Sequence, residues 1–191
     1  MDFLVAGLVV GLIVGVWLYS RGRARGSTST PAARTPRSGE TYVALRHQGL
    51  HRSRAELGVP KPSEASEPWG VLMETGYEKA SATVVAFSDG NASIYLSTGG
   101  GFIGGAGREP VRQAAINMVR VAGPFVSQMT PTKTFPLPDR GRTIFYLRTD
   151  EGVLTGGATE EELGKRRHPL APLFFAGQDV ITQYRLLDPK K

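Results

Sequence analysis

Cysteine is absent from the 191 residues of this chain. Without thiols there is no disulfide, no cysteine nucleophile, no iron–sulfur cluster and no cysteine-ligated zinc. Histidine is scarce as well, at three residues. His47 and His51 have the i, i+4 spacing of a metal pair, but no acid lies between them and no third ligand stands close by, so we interpret them as solvated side chains. We expect no metal and no cofactor.

Acidic residues do not outnumber basic ones, and the formal net charge is +6. The surplus of Lys and Arg lies almost entirely in residues 1–66, whereas residues 67–191 are nearly neutral. A globular domain that binds nucleic acid carries its basic charge on the folded surface. We therefore expect no nucleic-acid partner.

Long apolar runs are missing with one exception. Residues 3–19 contain no charged or strongly polar side chain. As a helix at about 1.5 Å per residue, this run reaches roughly 25 Å, and Ser20 with a snorkelling Arg21 extends it toward the hydrocarbon thickness of about 30 Å. We predict a single transmembrane signal-anchor helix over residues 1–20.

A cleaved signal peptide is the alternative interpretation of this run, and it would need a positively charged start. Asp2 is the charged residue before the run, whereas Arg21, Arg23 and Arg25 follow it. By the positive-inside rule the arginine-rich flank stays in the cytoplasm. The N-terminus is thus predicted outside and the C-terminal domain cytoplasmic, with these arginines contacting anionic lipid headgroups of the inner leaflet.

Three glycines recur every fourth residue within the apolar run: Gly7, Gly11 and Gly15. Small residues at this spacing allow the backbones of two membrane helices to approach closely. This predicts a homodimer or a partner helix packed on the glycine face. The alternative is that glycine is simply frequent in membrane helices.

Residues 21–67 are predicted to form a basic, Pro- and Ser-rich linker that is largely disordered. Up to residue 40 they offer no large apolar side chain to bury. Residues 41–58 allow a short amphipathic helix, but Gly49 interrupts it and the apolar face of Val43, Leu45 and Leu50 is thin. The following segment, to residue 67, resembles an extended spacer.

Residues 68–188 have the pattern of a folded domain. Apolar residues at three- and four-residue intervals predict two main helices, and shorter alternating runs separated by turn residues predict about five strands. The strands cover residues 69–76, 82–87, 92–97, 143–149 and 153–155, and the helices cover residues 109–122 and 171–187. Hairpins join most strands, so the order βββαββα predicts an α+β domain with an antiparallel sheet covered by the two helices.

This element order is similar to that of the small profilin-like and roadblock-type modules over about residues 69–187. Those modules have an antiparallel sheet flanked by helices. The resemblance implies a domain that dimerises or regulates small GTPases. It rests on topology, and analogy of fold does not establish function.

A glycine-rich stretch between a predicted strand and the first domain helix is the main candidate binding site. Exposed backbone amides before a helix N-terminus are suited to holding phosphate or another anion. Gly99 to Gly104 matches G-x-G-x-x-G, although the helix begins late for a dinucleotide fold and no Gly-Lys-Ser/Thr follows. The alternatives are protein contact or backbone geometry alone. The candidate ligand-binding residues are Thr98, Gly99, Gly100, Gly101, Gly104, Gly105, Gly107 and Arg108.

Two hypotheses for function follow. The first is a membrane-anchored protein whose cytoplasmic domain is a non-catalytic interaction or adaptor module with an unknown protein partner, since residues 68–188 contain no G-x-S-x-G elbow and no carboxylate-rich metal motif. The second is an anion- or nucleotide-binding domain, enzymatic in one version, with Arg108 and His168 as charged contacts.

Overall fold

The computed structural model describes residues 38–187. The predicted transmembrane helix, its glycine face and the three flanking arginines lie outside the described residues. Within residues 38–187, no helix has both the length and the apolar character needed to cross a membrane.

The strands are β1 (Gly70–Gly76), β2 (Ser81–Phe87), β3 (Ala92–Leu96), β4 (Gly101–Ile103), β5 (Thr130–Thr132), β6 (Arg142–Thr149) and β7 (Gly152–Thr159). The helices are α1 (Ser38–His51), α2 (Arg54–Leu57), α3 (Glu109–Ala122), α4 (Glu160–Gly164) and α5 (Ala171–Leu187), with a 3₁₀ helix over Gly123–Gln128.

Antiparallel pairing joins the strands into one seven-stranded sheet in the order β4-β3-β2-β1-β6-β7-β5. The α+β class with an antiparallel sheet is therefore confirmed. The strand number is seven instead of about five, because β4 and β5 have three residues each and are too short for an alternating pattern to mark them.

Helices α3 and α5 cover one face of the sheet. The six apolar residues of α3 that repeat at helical intervals are all buried there: Val111, Ala114, Ala115, Met118, Val119 and Ala122. In α5, Gly177 lies against Met73 of β1, where a Cβ would come within 2.5 Å of the sulfur. This glycine lets α5 approach the sheet closely. Leu187, expected on the buried face, is 40% exposed at the end of the helix.

Helix α1 covers the opposite face of the sheet. Tyr42 and Leu50 are buried with Leu72, Val85 and Tyr146 in a second, smaller apolar cluster. The helices α1 and α2 lie in the segment that the sequence places in the linker, where we expected at most a short amphipathic helix over residues 41–58. The apolar pattern of α1 is weak because few apolar residues face the sheet, and a buried ion pair adds to their contacts, as described below.

A crossing segment, residues 133–139, connects β5 to β6 and lies beside α1. Phe135 contacts the rings of His51 and Tyr146 at 5.1 and 5.4 Å. The backbone of Pro138 and Asp139 fills the space where a Cβ at Gly76 would be. The face opposite α3 and α5 is therefore covered by α1, whose sequence pattern is weak, and by the crossing segment, whose sequence has no periodicity.

Candidate functional site

The glycine-rich stretch forms the turn and second strand of a hairpin at one edge of the sheet. Leu96 accepts from the amide of Gly99 at 2.9 Å and donates to the carbonyl of Gly100 at 3.2 Å. Gly101 has a φ of 141°, and a Cβ there would overlap with the carbonyl of Ile94. Glycine is required here because β4 must pair closely with β3.

The following residues connect this hairpin to the helical layer. The carbonyl of Ala92 accepts from the amide of Gly105 at 3.1 Å and from the Tyr184 hydroxyl at 2.7 Å. A Cβ at Gly105 would overlap with Val111 and come within 2.6 Å of the Tyr184 hydroxyl. Burial raises the pKa of Tyr184 to about 12, so it stays a donor.

Arg108 is the N-cap residue of α3, and its side chain makes no capping bond. Its amide donates to the carbonyl of Gly105 at 2.9 Å, and the residue is exposed, as are Gly104 and Gly107. Strand pairing explains the glycine at position 101, and packing against Val111 and Tyr184 explains the glycine at position 105, both without a ligand. Anion binding at Thr98, Gly99, Gly100 and the rest of this loop stays a prediction.

A groove of about 650 Å³ lies at the opposite edge of the sheet from this hairpin, between the 3₁₀ helix, β5 and the start of β7. Its volume falls in the range of about 300–1,000 Å³ typical of binding pockets. Apolar side chains form its floor, among them Val126, Met129 and Leu154. Lys133 and Glu151, both exposed, line it with opposite charges.

Local packing positions residues that line the groove. Pro131 pairs with Leu154 in the short strand β5, and Met129 occupies the space over Gly156, where a Cβ would come within 3.1 Å of the Met129 side chain. Met129 is therefore held by buried contacts, whereas Val126 and Leu154 are half-buried and Pro131 is exposed.

A network of polar side chains lies between α1 and the sheet. Arg46 donates from Nε and Nη2 to the two carboxylate oxygens of Glu74, both at 2.7 Å, and Nη2 also donates to the carbonyl of Phe135 at 2.8 Å. Thr83 donates to Glu74 at 3.1 Å, and its hydroxyl is 3.0 Å from that of Tyr42. Glu74 is fully buried, and these bonds tie α1, β1 and β2 to the crossing segment.

The hydroxyl of Tyr146 lies in the same network and donates to the carbonyl of Pro136 at 2.8 Å. Burial, and then the carboxylate of Glu74, raise the pKa of Tyr146 to about 12. Burial also raises the pKa of Tyr42, followed in size by the opposing hydrogen bond to Thr83. Both phenols are therefore neutral hydrogen-bonding groups at physiological pH.

Arg148 is a buried cation near the end of α1. It donates to the carbonyl of Gly49 and, at 2.7 Å, to that of Arg52, and its guanidinium lies 4.4 Å from the Trp69 ring centroid. Burial lowers the pKa of Arg148 to about 10. The carbonyls at a helix C-terminus attract cations, so Arg148 fixes the end of α1 to β6.

The histidines do not assemble a reactive centre. His47 and His51 stack at 4.2 Å between ring centroids on α1. Nδ1 of His168 accepts from the amide of Leu170 at 3.2 Å. Over the described residues, no group of three His, Asp or Glu side chains is placed to hold a metal ion.

Sequence reasoning missed both the groove and the network under α1. The groove combines residues from three separate segments, so no local motif marks it. Glu74 did leave a signal, since it is a charged residue that directly follows the apolar run Val71–Met73 within a strand. A charged residue at that place indicates a buried ionic partner.

The fold and these sites define an α+β protein with a seven-stranded antiparallel sheet that has helices on both faces. Comparisons of the chain with protein-family models, with curated proteins and with solved structures find no match. The similarity in element order to profilin-like and roadblock-type modules stays a prediction.

Proposed function

We propose that this chain is a single-pass membrane protein whose cytoplasmic α+β domain is a non-catalytic adaptor that binds a short extended peptide of a partner protein in the groove beside β5. The groove carries this proposal, because apolar side chains line it together with exposed charged side chains of both signs. The apolar run, the arginine flank and the predicted orientation support the membrane anchor.

The placement of the ionisable side chains supports a binding role. Glu74 is bonded to Arg46 and Thr83, and Arg148 is bonded to the end of α1. These buried charges hold elements together and do not face an open cavity. By contrast, Lys133 and Glu151 are exposed beside the groove, where they are available to a partner.

The chemistry of the groove defines the peptide. An apolar side chain would fill the floor over Met129 and Leu154, and flanking residues of opposite charge would meet Lys133 and Glu151. Burying an apolar side chain contributes about 1.5–3 kcal/mol, and the charged rim adds specificity and speeds association. The occupant is therefore a segment with a large apolar residue between an acidic and a basic residue.

The test first places a photoreactive amino acid at position 133 of the full chain in its native membrane and identifies the protein that is cross-linked to it. The affinity of the chain for that partner is then measured with the purified partner protein. Lys133→Glu should weaken that binding at least tenfold. Lys79→Glu makes the same charge change at an exposed turn residue between β1 and β2 and should leave the affinity unchanged. Equal affinities for both variants, or no protein adduct at position 133, would refute the proposal.

Orientation has its own measurement. A reporter fused after residue 191 should behave as a cytoplasmic protein. Activity of a reporter that functions only outside the cytoplasm would reverse the predicted topology and exclude a cytoplasmic partner.

A further inference from the structure

The two edges of the sheet differ in how they are protected. An edge strand exposes unpaired N–H and C=O groups, and proteins commonly protect it with proline or lysine. The edge strand β5 contains Pro131 and is followed by Lys133. The edge strand β4 contains neither, and no charged residue occurs between Asp89 and Arg108.

Strand β4 also has an exposed apolar side chain. Ile103 is 67% exposed, whereas its neighbour Phe102 turns to the other face and stacks on Tyr184 at 5.0 Å. The edge is therefore held in place by Phe102 and presents Ile103 outward. An uncharged, apolar and unprotected edge of this kind is suited to pairing with another strand.

The register of the hairpin shows which backbone groups face the open edge. Leu96 bonds to Gly100, and Ile94 pairs with Phe102 two residues further along. Hydrogen-bonded pairs alternate along an antiparallel ladder, so Phe102 bonds inward to β3. The N–H and C=O groups of Gly101 and Ile103 then point away from the sheet.

We propose that β4 is a self-association site, where a second copy of this chain pairs antiparallel about a two-fold axis at Phe102. In that register Ile103 of one copy lies across from Gly101 of the other, on the same face of the sheet. The large side chain therefore sits over a residue that has none, and each of these two residues exchanges backbone hydrogen bonds with its counterpart. The edge is complementary to itself in size and carries no repelling charge.

The size of this contact sets its strength. A three-residue strand buries less than the total of about 1,200–2,000 Å² seen in stable complexes. The dimer is therefore weak in dilute solution and depends on a high local concentration, as confinement to a membrane provides. The high local concentration rests on the membrane anchoring proposed above, whereas the pairing of two β4 strands is independent of the groove.

Absence of native cysteine permits a direct test by single-cysteine cross-linking of the full chain in its native membrane. In the proposed register, position 103 lies about 7–8 Å from position 103 of the second copy, which suits a short bis-maleimide. Ile103→Cys should give a product of twice the chain mass. Val43→Cys, 63% exposed on α1, should not.

A second measurement separates this edge from the predicted glycine face of the membrane helix. Energy transfer between donor-labelled and acceptor-labelled full chains in lipid vesicles should show association at least tenfold weaker for Ile103→Lys than for Val43→Lys. Both changes place a lysine on an exposed site, so folding is preserved. Unchanged association of Ile103→Lys, equal cross-linking at positions 43 and 103, or a product of another mass would overturn the proposal.

Discussion

Arg46 and Glu74 form a two-point ion pair that joins the middle of α1 to the middle of β1, with both N–O distances at 2.7 Å. Glu74 is fully buried, and the side chain of Arg46 is 14% exposed. Removing one partner of such a pair leaves an uncompensated charge in the interior, which costs far more than the pair itself contributes.

Arg46→Ala should therefore destabilise the domain by about 3–5 kcal/mol, measured by equilibrium urea unfolding of the full chain. Arg52→Ala, an exposed arginine just after α1, should change the stability by less than about 0.5 kcal/mol. Replacing both partners, as Arg46→Met with Glu74→Leu, should recover much of the loss because no unpaired charge remains. Equal losses for the first two variants would contradict this role of the pair.

Arg148 supports the end of the same helix, and we expect Arg148→Met to lower the stability by about 1–3 kcal/mol because two helix-terminal carbonyls lose their donor. Its guanidinium also lies over Trp69, one of two tryptophans in the chain. In a Trp17→Phe background, where Trp69 is the remaining tryptophan, Arg148→Met should also shift the fluorescence of Trp69. Arg148→Lys keeps the charge without the planar fork and should be intermediate. A fully stable Arg148→Met variant would exclude this function.

The two glycines that precede α3 provide a matched pair of variants. Gly105→Ala should destabilise the domain by about 1–3 kcal/mol, because the new methyl group overlaps with Val111 and crowds the hydroxyl of Tyr184. Gly107→Ala meets open space and should be neutral or slightly stabilising. Thermal unfolding measures both.

If the loop serves an anion, inorganic phosphate should raise the melting temperature of the wild type, and Arg108→Ala should abolish that increase.

Periodicity predicts elements that bury an apolar stripe, which explains why α3 and α5 could be found from the sequence. Helix α1 was expected only as a short amphipathic helix within residues 41–58, because Arg46 and Tyr42 hold it by an ion pair and a hydrogen bond and few apolar residues face the sheet. Its hydrophobic pattern is therefore weak although its contacts are extensive. The charged residue Glu74 within an apolar strand indicates a buried partner but does not identify it, because Arg46 lies 28 positions away.

The candidate sites were harder to predict for a related reason. A glycine-rich segment before a helix can have the same sequence whether it holds an anion or forms a hairpin. The pairing of Gly101 with Tyr95, which shows the hairpin, is visible only in the three-dimensional structure. The groove beside β5 is lined by Met129 and Leu154, which lie far apart in the sequence. Such long-range contacts leave no spacing in the sequence.

We expect His51 to make the stability of the domain depend on pH. Burial lowers its pKa from 6.5, followed by the charges of His47, Arg148 and Arg46. The folded chain therefore binds a proton at His51 less readily than the unfolded chain, so the unfolded state takes up more protons as the pH falls through about 6.5. This contribution to stability is present above pH 6.5 and is lost as the pH falls toward the folded pKa.

His51→Gln removes this titration and should flatten the fall in stability between about pH 7 and pH 5. Urea unfolding at a series of pH values measures the difference between wild type and variant, and the difference at pH 8 serves as the reference for any change in packing against Phe135. The carboxylates titrate at lower pH in both proteins and cancel in the comparison. A variant whose stability falls as steeply as that of the wild type would show that protonation of His51 is not resisted by its cationic neighbours.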